Sequence, residues 1–108
     1  LKLLEFIDLS HNRINDISVL NNHNRLRTLN VNKNLIKNLL NFKNKNIMEF
    51  YINNNLIKNL KGIENFDKLK KFTIRNNFII KLDFLYQLKS LIYLDIRNNP
   101  LKYSKIKY

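Results

Sequence analysis

The chain has 108 residues, 44% of them hydrophobic, which is enough for one compact domain around one core and too few for two. It holds no cysteine, one glycine (Gly62) and one proline (Pro100), excluding disulfide frameworks, thiolate metal sites, cysteine nucleophiles and the glycine-rich phosphate cradles of nucleotide enzymes. Twenty Lys and Arg against eight Asp and Glu give a formal +12, which raises the question of whether the charge is focused toward an anionic partner.

About a fifth of the chain is Asn, and there is no Ala. The abundant residues Asn, Lys, Ile, Phe and Tyr have A/T-rich codons, so a biased genome accounts for part of the lysine excess without any function. No apolar run approaches the roughly 18 residues that span a bilayer, no signal peptide is visible, and no Asn-x-Ser/Thr acceptor occurs. An intracellular location, in cytoplasm or nucleus, is the expectation. The start at Leu1 predicts a piece of a longer array.

Taken in chain order, five segments repeat one pattern. Leu4 to Ile14 (LEFIDLSHNRI) places Ile7 and Leu9 two apart and Asn12 three further on, followed by Ile17 and Leu20. Leu26 to Ile36 (LRTLNVNKNLI) does the same with Leu29, Val31 and Asn34, followed by Leu39 and Phe42. Ile47 to Ile57 (IMEFYINNNLI) has Phe50, Ile52 and Asn55, then Leu60, Ile63 and Phe66. Leu69 to Ile79 (LKKFTIRNNFI) has Phe72, Ile74 and Asn77, then Leu82, Leu85 and Leu88. Leu91 to Leu101 (LIYLDIRNNPL) closes the series with Leu94, Ile96 and Asn99. The starts at 4, 26, 47, 69 and 91 are separated by 22, 21, 22 and 22 residues.

The period of two at repeat positions 4 and 6 predicts a short strand with those residues inward and positions 3, 5 and 7 outward. One such strand cannot fold alone, whereas coils stacked side by side form a parallel sheet over one continuous core. At position 9 the chain turns off the strand and leaves backbone groups without ladder partners. A buried Asn carries a donor and an acceptor that can bridge to neighbouring coils, so Asn12, Asn34, Asn55, Asn77 and Asn99 are expected to be structural. The spacing of three at positions 14 and 17 predicts short helical or 3₁₀ turns on the return half.

The pattern resembles the leucine-rich repeat family over nearly the whole chain. Ile57-Lys58-Asn59-Leu60-Lys61-Gly62-Ile63-Glu64-Asn65-Phe66 resembles the 22-residue class typified by a regulatory subunit of protein phosphatase 1 and by an axonemal dynein light chain. Asn15-Asp16-Ile17-Ser18-Val19-Leu20 resembles the same class, which bacterial internalins share. Asn98-Asn99-Pro100-Leu101 followed by Tyr108 resembles a truncated C-terminal cap. The family implies a right-handed α/β solenoid of one domain over 1–108, with the short parallel sheet concave and the 3₁₀ turns convex. It also implies that concave aromatic and acidic side chains engage a protein partner.

The outward positions expected to meet that partner are Phe6, Asp8, Glu49, Tyr51, Lys71, Arg75, Tyr93, Asp95 and Arg97, read as free of packing duty. Exposed Tyr, Phe and Arg are enriched at protein–protein hot spots because they bury much area and keep a polar handle. With flanking positions included, this face carries Arg27, Lys33, Lys70, Lys71, Arg75 and Arg97 against Glu5, Asp8, Glu49 and Asp95. The sheet side is thus only slightly basic, and most of the +12 belongs to loops, return side and ends. A nucleic-acid groove gathers basic and aromatic residues on one surface, and here they are segregated. A further candidate surface is the position-10 row Leu35, Leu56 and Phe78, expected to stack as an apolar strip.

Catalysis has little support. His11 and His23 have no nucleophile, acid or metal-ligand partner at suitable spacing and are expected to be solvated. Asp8 and Asp95 lie four coils apart, nearly 20 Å at about 4.8 Å per strand, too far for paired-carboxylate chemistry. The sequence therefore predicts a monomeric, non-enzymatic protein-interaction scaffold with no cofactor and no metal, similar to a phosphatase-type regulatory or targeting subunit. The alternatives are an adaptor in a ribonucleoprotein or ciliary motor complex, an internalin-like extracellular adhesion module, and RNA binding through the convex lysines.

Overall fold

Five three-residue strands, one from each repeat, build a single parallel sheet in the order of the chain. The computed structural model describes residues 3–102, so the Tyr108 of the expected cap lies outside the described residues. The strands are β1 (Phe6–Asp8), β2 (Thr28–Asn30), β3 (Glu49–Tyr51), β4 (Lys71–Thr73) and β5 (Tyr93–Asp95). Position 4 is in register throughout, Ile7 pairing with Leu29, Leu29 with Phe50, Phe50 with Phe72 and Phe72 with Leu94. The ladder runs beyond the assigned strands, because the position-6 amides of Leu9, Val31, Ile52 and Ile74 each donate to the carbonyl of the next strand's last residue.

Period two puts Leu29, Val31, Phe50, Ile52, Phe72 and Ile74 fully inside. Ile7, Leu9, Leu94 and Ile96 are half-buried, since among the described residues their coils have a neighbour on one side only. From the return half, Ile17, Leu20, Leu39, Phe42, Leu60, Ile63, Phe66 and Leu88 close the core. Four phenylalanines lock the sheet to the return side: Phe42 lies 5.6 Å from both Phe50 and Phe66, and Phe50 lies 5.8 Å from Phe72, between ring centres.

The return turns are 3₁₀ helices at Ser18–Leu20, Ile63–Asn65 and Leu85–Gln87. The second repeat departs from the expectation. One residue shorter, it makes the Phe42 to Leu39 backbone bond of a turn but forms no 3₁₀ helix. Gly62 opens the third turn at φ 99°, where a Cβ would sit 2.9 Å from the Leu39 carbonyl oxygen, so only glycine fits there.

The position-9 asparagines do what their donors and acceptors allow. The Oδ1 atoms of Asn34, Asn55, Asn77 and Asn99 accept the amides of Ile14, Ile36, Ile57 and Ile79 from the preceding coil at 2.9–3.1 Å. Their Nδ2 groups donate to Leu9, Val31, Ile52 and Ile74 carbonyls, again in the preceding coil, at 2.9–3.0 Å. Asn12 is the correction: it is exposed, and its amide bonds only to Leu9 and Ser10 of its own turn, because no coil precedes it among the described residues.

One feature of the turn is not visible in the apolar pattern. Position 8, just before each ladder Asn, is left-handed in every repeat: His11, Lys33, Asn54, Asn76 and Asn98 have φ between 56° and 60°. This twist aims the amides of His11, Lys33, Asn54 and Asn76 at carbonyls of the next coil. Asn tolerates the conformation and Lys does so at a cost.

Two measurements of equilibrium unfolding check this account. Asn55→Ala leaves buried groups of Ile36 and Val31 without partners and should lose about 1–3 kcal/mol, whereas Asn12→Ala should stay within about 0.5 kcal/mol of the parent. Equal losses would contradict the inter-coil role. Lys33→Asn should gain about 0.5–1 kcal/mol by relieving the left-handed strain, and a loss would contradict it.

Candidate interaction surface

The outer face of the sheet carries the residues that the strand alternation sends away from the core. The structure divides them into an assembled group on β3 to β5 and an outlying pair on β1. Phe6 is 61% exposed, and Asp8 accepts the Ser10 amide at 2.9 Å in an Asx turn; the Ser10 side chain, then this amide, lowers the Asp8 carboxyl below its ordinary value. All of β2, with Thr28 and Asn30, separates these two from the remaining candidates.

On β3 to β5 the register places Glu49, Lys71 and Tyr93 side by side. Lys71 Nζ lies 5.3 Å from the Tyr51 ring centre and 5.2 Å from that of Tyr93, so one ammonium is held between two aromatic faces. Tyr51 donates its hydroxyl to Glu49 Oε1 at 2.8 Å. Burial, then this bond to Glu49, pushes the Tyr51 phenol above its ordinary pKa.

The neighbouring corner is built on Asp95. Arg97 grips it in bidentate fashion, Nε at 3.0 Å from Oδ1 and Nη2 at 2.8 Å from Oδ2, while Arg75 Nε stands 3.5 Å from Oδ2. The Arg97 side-chain bonds are the main reason that the Asp95 carboxyl lies below the ordinary aspartate value. Two cations share one carboxylate, so the corner keeps a net positive charge.

The expectation that outward positions are free of packing duty is corrected here. Asn53, Thr73 and Asp95 are buried although they point away from the core. Asn53 Nδ2 donates to Thr73 Oγ1 at 3.0 Å, Asn53 Oδ1 accepts the Arg75 amide at 2.7 Å, and Asn32 Oδ1 accepts the Asn53 amide at 2.8 Å. Thr73 and Asp95 lie in register beside Tyr51, and the lateral bonds tie neighbouring coils together on this face. His23 is a second correction. It occupies the slot that Phe66 and Leu88 fill in later repeats, is half-buried, and encloses an Nδ1 with no partner among the described residues. Asn44 takes the same slot in repeat two, buried and donating to the Leu20 and His23 carbonyls.

Among the described residues no cluster of three or more His, Asp or Glu could hold a metal ion, and no helix is long and apolar enough to cross a membrane. Asp8 and Asp95 sit on β1 and β5, the two edges of the sheet.

A parallel sheet with one strand per 21- or 22-residue coil, an inter-coil Asn bridge and 3₁₀ return turns defines a leucine-rich repeat solenoid. No protein-family model and no curated protein matches the chain in sequence. Among solved structures it is similar to an internalin, inlF, of Listeria monocytogenes, with TM-score 0.76 and 30% identity over 83% of this chain and 27% of that one. Internalin C2 (inlC2) of the same organism shares the fold with TM-score 0.76 and 21% identity over 82% of this chain and 40% of that one. The chain thus spans less than half the length of either.

The sign of the Asp95 effect yields a prediction. A carboxyl depressed in the folded state adds stability that is present above its unfolded pKa of about 3.9 and is lost as pH falls through the lower folded value. Asp95→Asn should therefore flatten the loss of stability as pH falls below about 4, measured by denaturant unfolding at each pH. An unchanged acid limb would remove Asp95 from the ion-pair account.

Proposed function

We propose that the chain is a non-enzymatic protein-interaction scaffold that receives a protein partner on the outer face of its sheet, over β3 to β5. The observation that carries this reading is the Tyr51–Lys71–Tyr93 stack beside Arg75 and Arg97. The rings and guanidinium groups are large, partly exposed and already positioned, with Tyr93 49% exposed. Side chains of these types dominate binding energy at interfaces, and preorganisation lowers the entropy lost on docking. Asp95 is neutralised within the protein, so Tyr51, Tyr93, Lys71 and Arg75 carry the contact, with Glu49 orienting Tyr51. On this reading the scaffold is a monomer serving as an intracellular regulatory or targeting subunit, the role the phosphatase-type resemblance implies.

A second reading is an extracellular adhesion module. The 30% identity to an internalin over 83% of this chain favours it, and it uses the same face. Pull-down with the purified chain from whole-cell extract and, separately, from intact surface-labelled cells distinguishes the two settings. In either, a specific partner should be lost with Tyr51→Ala/Tyr93→Ala, each ring contributing about 1–2 kcal/mol, a loss of at least tenfold in affinity. Recovery of the same proteins by both baits would defeat the sheet-face site.

A further inference from the structure

Four of the lysines that the sheet face does not use, Lys37, Lys58, Lys61 and Lys81, line an apolar groove elsewhere. Each ascending loop is bonded to the next, Leu56 to the Ile36 carbonyl and Phe78 to the Ile57 carbonyl, so position-10 and position-12 side chains stack in rows across coils. Between these rows and the return turns lie two hollows, of about 790 and 490 Å³, which share Leu40, Lys58, Asn59 and Lys61 and so adjoin one another along one side of the solenoid. The volumes fall within the range of about 300–1,000 Å³ in which proteins bind ligands.

The floor is aliphatic and aromatic. Leu40 is 51% exposed, Phe78 49% and Ile80 39%, with Leu56 half-buried between them. Leu40, Leu56 and Phe78 line the smaller hollow, and Leu40 and Ile80 line the larger, so Leu40 links the apolar side chains of the two. The rim is basic: Lys37, Lys58, Lys61 and Lys81 line it, and none of the four ammonium groups makes an ion pair or side-chain hydrogen bond among the described residues. Of the two acids there, both in the larger hollow, Glu64 turns an oxygen to the Gly62 amide at 3.0 Å. The smaller hollow has three lysines and no acid.

We propose that this lateral groove is a second docking site, distinct from the sheet face, for an acidic protein segment whose carboxylates alternate with bulky apolar side chains. The apolar residues seat on Leu40, Leu56, Phe78 and Ile80 while the carboxylates meet the lysine rim. Charge complementarity selects the acidic character. Nucleic acid, which stacks successive bases on aromatic platforms, is the weaker fit, because Phe84 is buried and the exposed rings Phe78 and Tyr86 line different hollows.

Fluorescence anisotropy with the full chain tests this, using a labelled peptide in which Glu alternates with Leu and Phe. A peptide with Ser in place of the apolar residues and a labelled uridine oligonucleotide serve as comparisons. The acidic apolar peptide should bind at least about tenfold more tightly than either, and Lys58→Glu/Lys61→Glu should weaken it at least about tenfold. Leu40→Asn should weaken it as well, whereas Tyr51→Ala/Tyr93→Ala should leave it unchanged. Amide shifts in the nitrogen-15 spectrum should cluster at 37–40, 56–61 and 78–81. Equal binding of all three probes would reduce the groove to diffuse electrostatic attraction and overturn the proposal. So would failure of the acidic apolar peptide to bind, or its release by the tyrosine substitutions alone.

Discussion

Each coil of this solenoid carries its ladder a few residues past the strand and then turns a corner, where the position-6 carbonyls and the position-11 amides have no backbone partners. The side-chain amides of Asn34, Asn55, Asn77 and Asn99 supply the missing partners, joining each corner to the carbonyl and amide of the coil before it. A buried unpaired polar group costs about 1–3 kcal/mol, which four coils of so small a chain could not sustain at every corner. Asn suits the place because one planar group offers both donor and acceptor in a length short enough to stay inside the turn. The coil-to-coil register follows from this bridge, and the placement of every outward side chain follows from the register.

The outer sheet face shows how that register becomes a surface. Because Glu49, Lys71 and Tyr93 are aligned, the lysine of one strand reaches the tyrosines of the two beside it. Beside them on the same face, Asn53 donates to Thr73 and accepts the Arg75 amide. The rings and cations are therefore flanked by side chains fixed by hydrogen bonds, which lowers the ordering cost of docking.

The parts of this arrangement legible in the sequence are those that burial dictates. Positions 4 and 6 must be apolar and position 9 must be Asn, so Phe50, Ile52 and Asn55 announce their environments. Position 8 was hidden because a left-handed φ constrains the backbone alone, and His11, Lys33 and Asn54 all satisfy it. The buried state of Asn53, Thr73 and Asp95 was hidden for another reason: polarity reads as exposure until the lateral partners are known. Likewise His23 and Asn44 fill a core slot with polar side chains, and only their position relative to Phe66 and Leu88 reveals it. The groove joins residues from three repeats through stacked loops, so no linear pattern contains it.

The charge of the chain takes on a different meaning in this light. Among the described residues both ion pairs converge on Asp95, so that carboxylate is neutralised locally. The groove lysines have no such partners, and their field extends into solvent over a Debye length of about 8 Å at physiological salt. Added salt therefore screens the lysine rim far more than the sheet face, where ring stacking and buried hydrogen bonds dominate. A codon-biased genome can supply lysines, but it does not explain why four of them rim adjoining hollows floored by Leu40, Leu56, Phe78 and Ile80. Where solubility alone is at issue, exposed apolar side chains and cations are dispersed; their convergence on one groove requires a physical reason of its own, and an acidic apolar segment supplies one.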